Sequence, residues 1–282
     1  MVEGGRPPAV AGQFYEADGA ALARQLESCF RDPRGPGELP ARHRSGSRPL
    51  RAIVVPHAGY TYSGAIAARA YAEVAAERPP RTVLILGVDH HGLGDGACLS
   101  DRDWRTPIGP TAVDHELVTA LAHAPVHVDE SAHAREHSIE VQLPFLEYVL
   151  PKPRFVALQV RFGAFDYLAE VAAVVREAIR GRDVLLVAST DFSHYVPART
   201  AERLDGLAIE AILARDARRL FETVVSNDIS MCGIAPTTVL LAALSGEPLD
   251  CRLLRWGHSG EAEPMREVVG YAALTLSSPT VK

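Results

Sequence analysis

Three apolar runs in this chain each end in a short loop that carries histidine. They are Ala52-Ile53-Val54-Val55-Pro56-His57, then Val83-Leu84-Ile85-Leu86-Gly87-Val88-Asp89-His90-His91, then Val184-Leu185-Leu186-Val187-Ala188-Ser189-Thr190-Asp191-Phe192-Ser193-His194. Imidazole is both a common transition-metal ligand and the side chain best suited to proton transfer near neutrality. Asp191 stands three residues before His194, close enough to act beside it or to hold its ring. In Ser230-Met231-Cys232-Gly233-Ile234-Ala235-Pro236 a cysteine precedes another apolar segment. A helix N-terminus there would stabilise its thiolate, for metal binding or for nucleophilic attack.

Each candidate has a plainer reading beside it. His57 alone is a loop hydrogen-bonder, Asp191 a helix cap, and Cys232 a small buried hydrophobe like Cys29, Cys98 and Cys251. Extended backbone turns only one of His90 and His91 toward a given ligand, and Asp89 is positioned to accept from an imidazole N–H. Glu136-His137-Ser138-Ile139-Glu140 reads as the start of a helix with His137 and Glu140 on one face. The helix dipole is a sufficient explanation for its glutamates. The remaining histidines (His43, His115, His123, His127, His133 and His258) read as surface.

The elements that must position these residues alternate. Strands are expected at 51–55, 82–87, 97–99, 154–160, 184–189, 250–256 and 268–276, from their apolar, β-branched composition. Helices are expected near 18–30, 63–76, 114–123, 137–150 (interrupted at Pro144), 165–180, 200–214, 216–225 and 235–245. Asp18 is a natural N-cap for the first. Such alternation predicts an α/β fold, one three-layer αβα domain over 1–282 with a mostly parallel or mixed sheet and a closing antiparallel hairpin. Within it, 1–49 is an N-terminal extension with a helix and a mobile, Arg/Pro/Gly/Ser-rich loop at 31–49; 50–282 is the α/β core. In open sheets of this kind ligands sit outside the carboxyl ends of the strands, where all three histidine loops fall.

Composition narrows the function classes. Of 282 residues, 47% are hydrophobic and 23% charged, as in ordinary globular proteins. A net charge of −6 without a basic stripe argues against nucleic acid or an anionic membrane as partner. No apolar stretch approaches the roughly 20 residues of a membrane span, and 1–20 lacks the apolar centre of a signal peptide. Four cysteines without a CxxC pair argue against a disulfide framework or zinc ribbon. A cytoplasmic protein is the expectation.

The motifs together resemble one family. Pro56-His57-Ala58-Gly59-Tyr60-Thr61-Tyr62-Ser63-Gly64, His90-His91, Glu136-His137-Ser138-Ile139-Glu140, Asp191-Phe192-Ser193-His194 and Cys232-Gly233 resemble the Memo family, in order and across nearly the whole chain. Arg6-Pro7-Pro8-Ala9-Val10-Ala11-Gly12-Gln13-Phe14-Tyr15 resembles that family's opening segment. Its bacterial members are described as protein B of the AmmeMemoRadiSam system, which implies association with a radical-SAM protein. The family is similar in fold to the class III extradiol dioxygenases, whose non-haem Fe(II) is held by two histidines and a carboxylate; Memo proteins have cysteine at the corresponding position.

The resemblance therefore implies metal ligands at His57, His90 and Cys232, with His194 as the catalytic histidine and Asp191 lining the pocket; with His137, read from its own segment, they make the expected catalytic set His194, Asp191 and His137. Asp89 and Thr190 depart from the small hydroxyl residue and the serine expected there. Nitrogen and sulfur donors suit Fe(II), with Cu or Zn as alternatives, better than Mg or Ca. The leading reading is a dioxygenase-like oxidoreductase acting on a small, aromatic substrate, with Tyr60, Tyr62 and Tyr195 as ring-tolerant lining. The alternatives are a non-catalytic metal-binding or signalling factor with a vestigial pocket, and a cysteine-nucleophile hydrolase built on Cys232.

Overall fold

The computed structural model describes residues 5–41, 46 and 48–279. In chain order they form α1 (Gly19–Arg31), β1 (Leu50–Val55), α2 (Tyr60–Ala76), β2 (Thr82–Val88), β3 (Ala97–Leu99), β4 (Trp104–Thr106), β5 (Gly109–Val113), α3 (His115–Leu121), β6 (Val126–Val128) and α4 (Glu130–His133). A 3-10 turn at Glu140–Gln142 leads into α5 (Leu143–Val149). Then come β7 (Arg154–Val160), α6 (Phe165–Ile179), β8 (Val184–Ser189), α7 (Ala198–Leu213), α8 (Ala217–Ser226), α9 (Ile234–Ala243), β9 (Asp250–His258) and β10 (Gly270–Ser277).

Ten strands share one mixed sheet in the order β4-β5-β7-β2-β8-β1-β10-β9, with β3 on β7 and β6 on β3. The centre is parallel: β8 pairs with β2 on one side and β1 on the other. Those three strands are buried along their lengths but for Arg51, as a strand covered on both faces must be. Helices α2 and α7 both pack on β9 and β10. The expected closing hairpin is β9–β10, antiparallel at the sheet edge.

The order β2-β8-β1 decides where the chemistry falls. The carboxyl ends of these neighbours lead to His90, Asp191 and His57, so residues far apart in sequence emerge side by side. The short strands β4, β5 and β6 were not anticipated; they are too short or too rich in Gly and Pro to show a strand pattern.

The N-terminal extension packs into the body. Asp18 caps α1 by accepting from Ala21 N, and Leu22, Leu26 and Phe30 join the same apolar cluster as the central strands. The first part of the 31–49 connection is tied down: Gly37 N donates to Phe30 O, Asp32 pairs with Arg34 at 2.8 Å, and Arg69 donates to Arg34 O. The remainder includes residues 42–45 and 47, which with His43 lie outside the described residues. Among the described residues no helix is long and apolar enough to cross a membrane.

Candidate metal centre

His57 leaves β1 after Pro56 and is 2% exposed, with its backbone N–H donated to Asp191 Oδ1 at 2.8 Å. Its tautomer follows from the hydrogen bonds around it. Ser189 spends its only hydroxyl proton on Ser138 O at 2.6 Å, so the oxygen can only accept from His57 Nδ1 at 3.0 Å. Nδ1 therefore carries the proton, and the bare Nε2 faces Cys232 Sγ at 3.2 Å. Burial first, and then the neighbouring imidazoles of His137 and His90, hold His57 well below its usual pKa, so the ring is neutral.

His90 is fixed the same way by a different acceptor. Glu136, fully buried, accepts from His90 Nδ1 at 2.9 Å and also from the backbone N–H groups of His90, His137 and Ser138. Burial opposes ionisation of this carboxyl, but the His90 hydrogen bond and charge and the Ser138 N–H outweigh it and hold the pKa below the usual range. With Nδ1 protonated, His90 presents Nε2, and ligand atoms of His57, His90 and Cys232 all lie within 4.8 Å of one another.

Cys232 lies just before Gly233, the residue that opens α9. Its sulfur accepts from Asp191 N at 3.2 Å. The expectation of a thiolate stabilised by the helix N-terminus is overturned: burial, then the Asp191 charge, push this thiol well above its usual range. Without a cation the site holds a neutral thiol beside the neutral His57 ring, and a thiophilic divalent metal would complete this set with His90 by displacing the thiol proton.

Asp191 caps no helix. It is buried in the loop after β8, where burial pushes its pKa up to about 6 against the His57 N–H bond and the His194 charge. His194 sits farther out, its Nδ1 on Ser230 O at 2.8 Å, which leaves Nε2 to accept. His137 stacks on His90 at 4.6 Å and against Phe14 at 4.6 Å, and burial lowers its pKa to about 4. His57, His90, His137, Asp191 and His194 all border one cleft of about 430 Å³, together with Phe14, Tyr62, Tyr195 and Tyr271.

Several expectations are corrected here. No helix begins at Glu136: the segment 136–139 is irregular because Glu136 is spent on backbone and His90 donors, and regular helix starts at Leu143. Asp89 does not orient an imidazole; both its oxygens lack partners, and Glu136 does that work. His91 turns outward to Arg135 O, as the alternation of side chains requires. Tyr60 is not cleft lining but core, 4% exposed, bonded to Val141 O and packed on Phe145. His133 is fully buried, donating from Nε2 to Cys98 O, and is not a surface residue.

Two supporting residues, one discounted as a helix-start glutamate and the other given no role, prove structural. Glu140 accepts from Arg6 at 2.6 Å, Tyr15 OH at 2.7 Å and the N–H groups of Ala9 and Val10. Arg6 also reaches His133 O and Glu136 O and lies 4.0 Å over Trp104. The pair straps segment 6–15 onto the back of the site. Gly87 permits this packing from the sheet side, because a Cβ there would stand 2.8 Å from Ser138 Oγ, the group that accepts from Val88 N.

A mixed α/β fold that gathers two imidazoles from the loops after β1 and β2 and a thiol from the start of α9, beside an aromatic-walled cleft, defines a candidate metal protein. The family described as Memo-like protein matches residues 6–275, and the chain belongs to that family. It is 41% identical to a MEMO1 family protein of Methanopyrus kandleri, over 96% of this chain and 98% of that one. It is 40% identical to one from Methanothermobacter thermautotrophicus (96% and 99% covered) and 39% to one from Thermotoga neapolitana (96% and 99%). A crystal structure of an uncharacterised Escherichia coli K12 protein shares the fold at a TM-score of 0.54 and 17% identity, covering 80% of this chain and 99% of that one.

Proposed function

We propose that this chain binds a thiophilic divalent transition metal, Fe(II) first and Cu or Zn as alternatives, through His57, His90 and Cys232. In this reading it is a dioxygenase-like oxidoreductase of small aromatic substrates, working in the cytoplasm. The observation that carries it is the Nε2 of His57, deprotonated by its own hydrogen bonding, 3.2 Å from the Cys232 sulfur. Two imidazoles and a thiolate match the preferences of such metals, and only three protein donors leave positions for exchangeable ligands. When bound, the metal supplies Lewis acidity and one-electron chemistry with O₂.

The chain's own groups handle orientation and protons. Tyr62, Tyr195, Tyr271 and Phe14 offer flat apolar faces to a ring held near His90. His194, with Nδ1 donated to Ser230 O, takes a substrate hydroxyl proton at Nε2. Asp191, raised toward neutrality by burial, can hold or release a proton beside it. His137 remains neutral and fixes the His90 ring by stacking. Four free cysteines accord with the reducing compartment proposed.

Elemental analysis of anaerobically purified protein, with O₂ uptake on catechols, tests this. About one iron per chain at this site is expected, with uptake reduced about 100- to 10,000-fold in His194→Gln while the metal is retained. Iron-free protein that takes up none on reconstitution would sink the metal assignment. Iron without uptake on any catechol would favour the non-catalytic reading.

Glu136→Gln should weaken metal binding about 10- to 100-fold, because it replaces an acceptor that orients His90 with a group that also donates. Competition with a chromophoric chelator reads this directly. Unchanged affinity would mean that Glu136 does not hold the ligand geometry.

A further inference from the structure

On the flank of the sheet away from β1, a second group of donors lies across β6, β3 and β7. His127 pairs with Cys98 in the parallel β6–β3 register, and Cys98 pairs with Gln159 in the antiparallel β3–β7 register. Directly paired residues project from the same face, so His127, Cys98 and Gln159 form a row. Asp129, two residues after His127 in the segment leaving β6, joins them. Ligand atoms of Cys98, His127 and Asp129 all lie within 4.8 Å, with Cys98 Sγ 3.8 Å from His127 Nε2. A tetrahedral zinc site with bonds of about 2.3 Å to sulfur and 2.0–2.1 Å to nitrogen has an S···N edge of about 3.6 Å.

Independent observations point to a ligand here. Gln159 is 1% exposed, yet neither its Oε1 nor its Nε2 has a hydrogen-bond partner. Both buried oxygens of Asp89 are likewise unpartnered. A Cβ built on Gly94 would stand 2.9 Å from Cys98 Sγ and 3.8 Å from Asp89 Oδ2, so thiol and carboxylate share the space beneath that glycine. Buried polar groups of this kind nearly always have partners. The groups facing Cys98 are predominantly acidic. Burial first, then the Asp129 charge and the smaller Asp89 and Asp95 charges, push the Cys98 thiol up to about 11 against the Asp95 backbone hydrogen bond, and Asp129 is itself held ionised by the Ser131 hydrogen bonds. Arg161 is the nearby cation, turned to Gly94 O.

We propose that Cys98, His127 and Asp129 form a second metal site, for a thiophilic divalent cation of the Zn²⁺ type. Thiolate, imidazole and carboxylate in a compact three-donor arrangement suit that ion. Cys98 lies at the buried floor and exposed His127 at the mouth, giving the ion a path from solvent. Asp89 accepts from a water in the fourth position, and binding releases the Cys98 proton. The site shares no residue with His57, His90 and Cys232.

Zn²⁺ titration of the full chain, with bound metal counted after gel filtration, tests this beside a Cys232→Ser chain that lacks the first centre's sulfur. Two equivalents in the wild type and one in Cys232→Ser are expected. Adding His127→Ala or Asp129→Asn, whose side chains lie toward the surface, should remove the remaining equivalent without changing the thermal midpoint of metal-free protein. Co²⁺ in place of Zn²⁺ should give a thiolate charge-transfer band in Cys232→Ser that Cys98→Ser abolishes. A Cys232→Ser chain that binds no Zn²⁺, or binds it equally with His127→Ala, overturns the second site. Conversely, wild-type binding of one equivalent that is lost with His127→Ala alone supports the second site and counts against the first.

Discussion

Replacing Cys232 with serine is expected to weaken Fe(II) binding at the strand-end centre by more than about 100-fold, with little change in fold. Loss of an outer partner of a ligand costs about 10- to 100-fold, so loss of the ligand itself must exceed that range. The substitution is nearly isosteric, and the serine hydroxyl can still accept from Asp191 N, as the sulfur does at 3.2 Å. What it cannot do is supply a soft anionic donor at neutral pH. The pH dependence separates loss of a ligand from a general disturbance. Burial pushes the Cys232 thiol up, so in the wild type the metal must displace a proton. Affinity should therefore rise about tenfold per pH unit up to the thiol pKa. In Cys232→Ser this dependence should vanish. Chelator competition across pH 6 to about 8 reads both quantities; a serine variant with wild-type affinity and slope would remove Cys232 from the ligand set.

Glu140→Ala should cost about 3–5 kcal/mol of stability, the range for breaking a buried ion pair from one side. Arg6 and Glu140 have side chains 6% and 0% exposed, so the guanidinium left behind cannot reach water. Three further donors, Ala9 N, Val10 N and Tyr15 OH, lose their acceptor at the same time. A chain of this size loses roughly 2–4 °C of melting temperature per kcal/mol, so the midpoint should fall by roughly 6–20 °C. Pairing Arg6→Met with Glu140→Leu should recover only part of this. The double change removes the orphaned charge but not the orphaned N–H groups. A drop under about 1 kcal/mol would make the strap ornamental. The active face should feel the change too, since Phe14 of this segment stacks on His137.

Much of the fold was legible because its central strands are long unbroken runs of branched apolar residues. Val184–Ser189 matches expectation to the residue, and Leu50–Val55 and Thr82–Val88 each differ from it by one residue at an end. Their adjacency was not legible: nothing local tells β8 that it lies between β2 and β1. The site divides along the same line. His57, His90 and His194 stand out as strand-end histidines; Cys232 stands out only as a cysteine before an apolar helix, and its place among the ligands comes from the family motif. Glu136 and Glu140 were discounted because acidic residues before a helix have an ordinary explanation. Only tertiary packing reveals that one is spent on His90 and the other on Arg6. His133 was misread for a similar reason. A polar-looking segment gave no sign that Arg6 and Trp104 would cover it.

His57 and Cys232 are 175 residues apart in sequence, and the packing of the α9 start against the loop after β8 brings them to 3.2 Å. An unfolded chain holds no equivalent chelate, so any ion captured there is bound almost wholly by the native ensemble. By mass action, each tenfold excess of free ion over its dissociation constant then adds about 1.4 kcal/mol to global stability. If the site is filled as proposed, metal availability acts on the abundance of the folded protein.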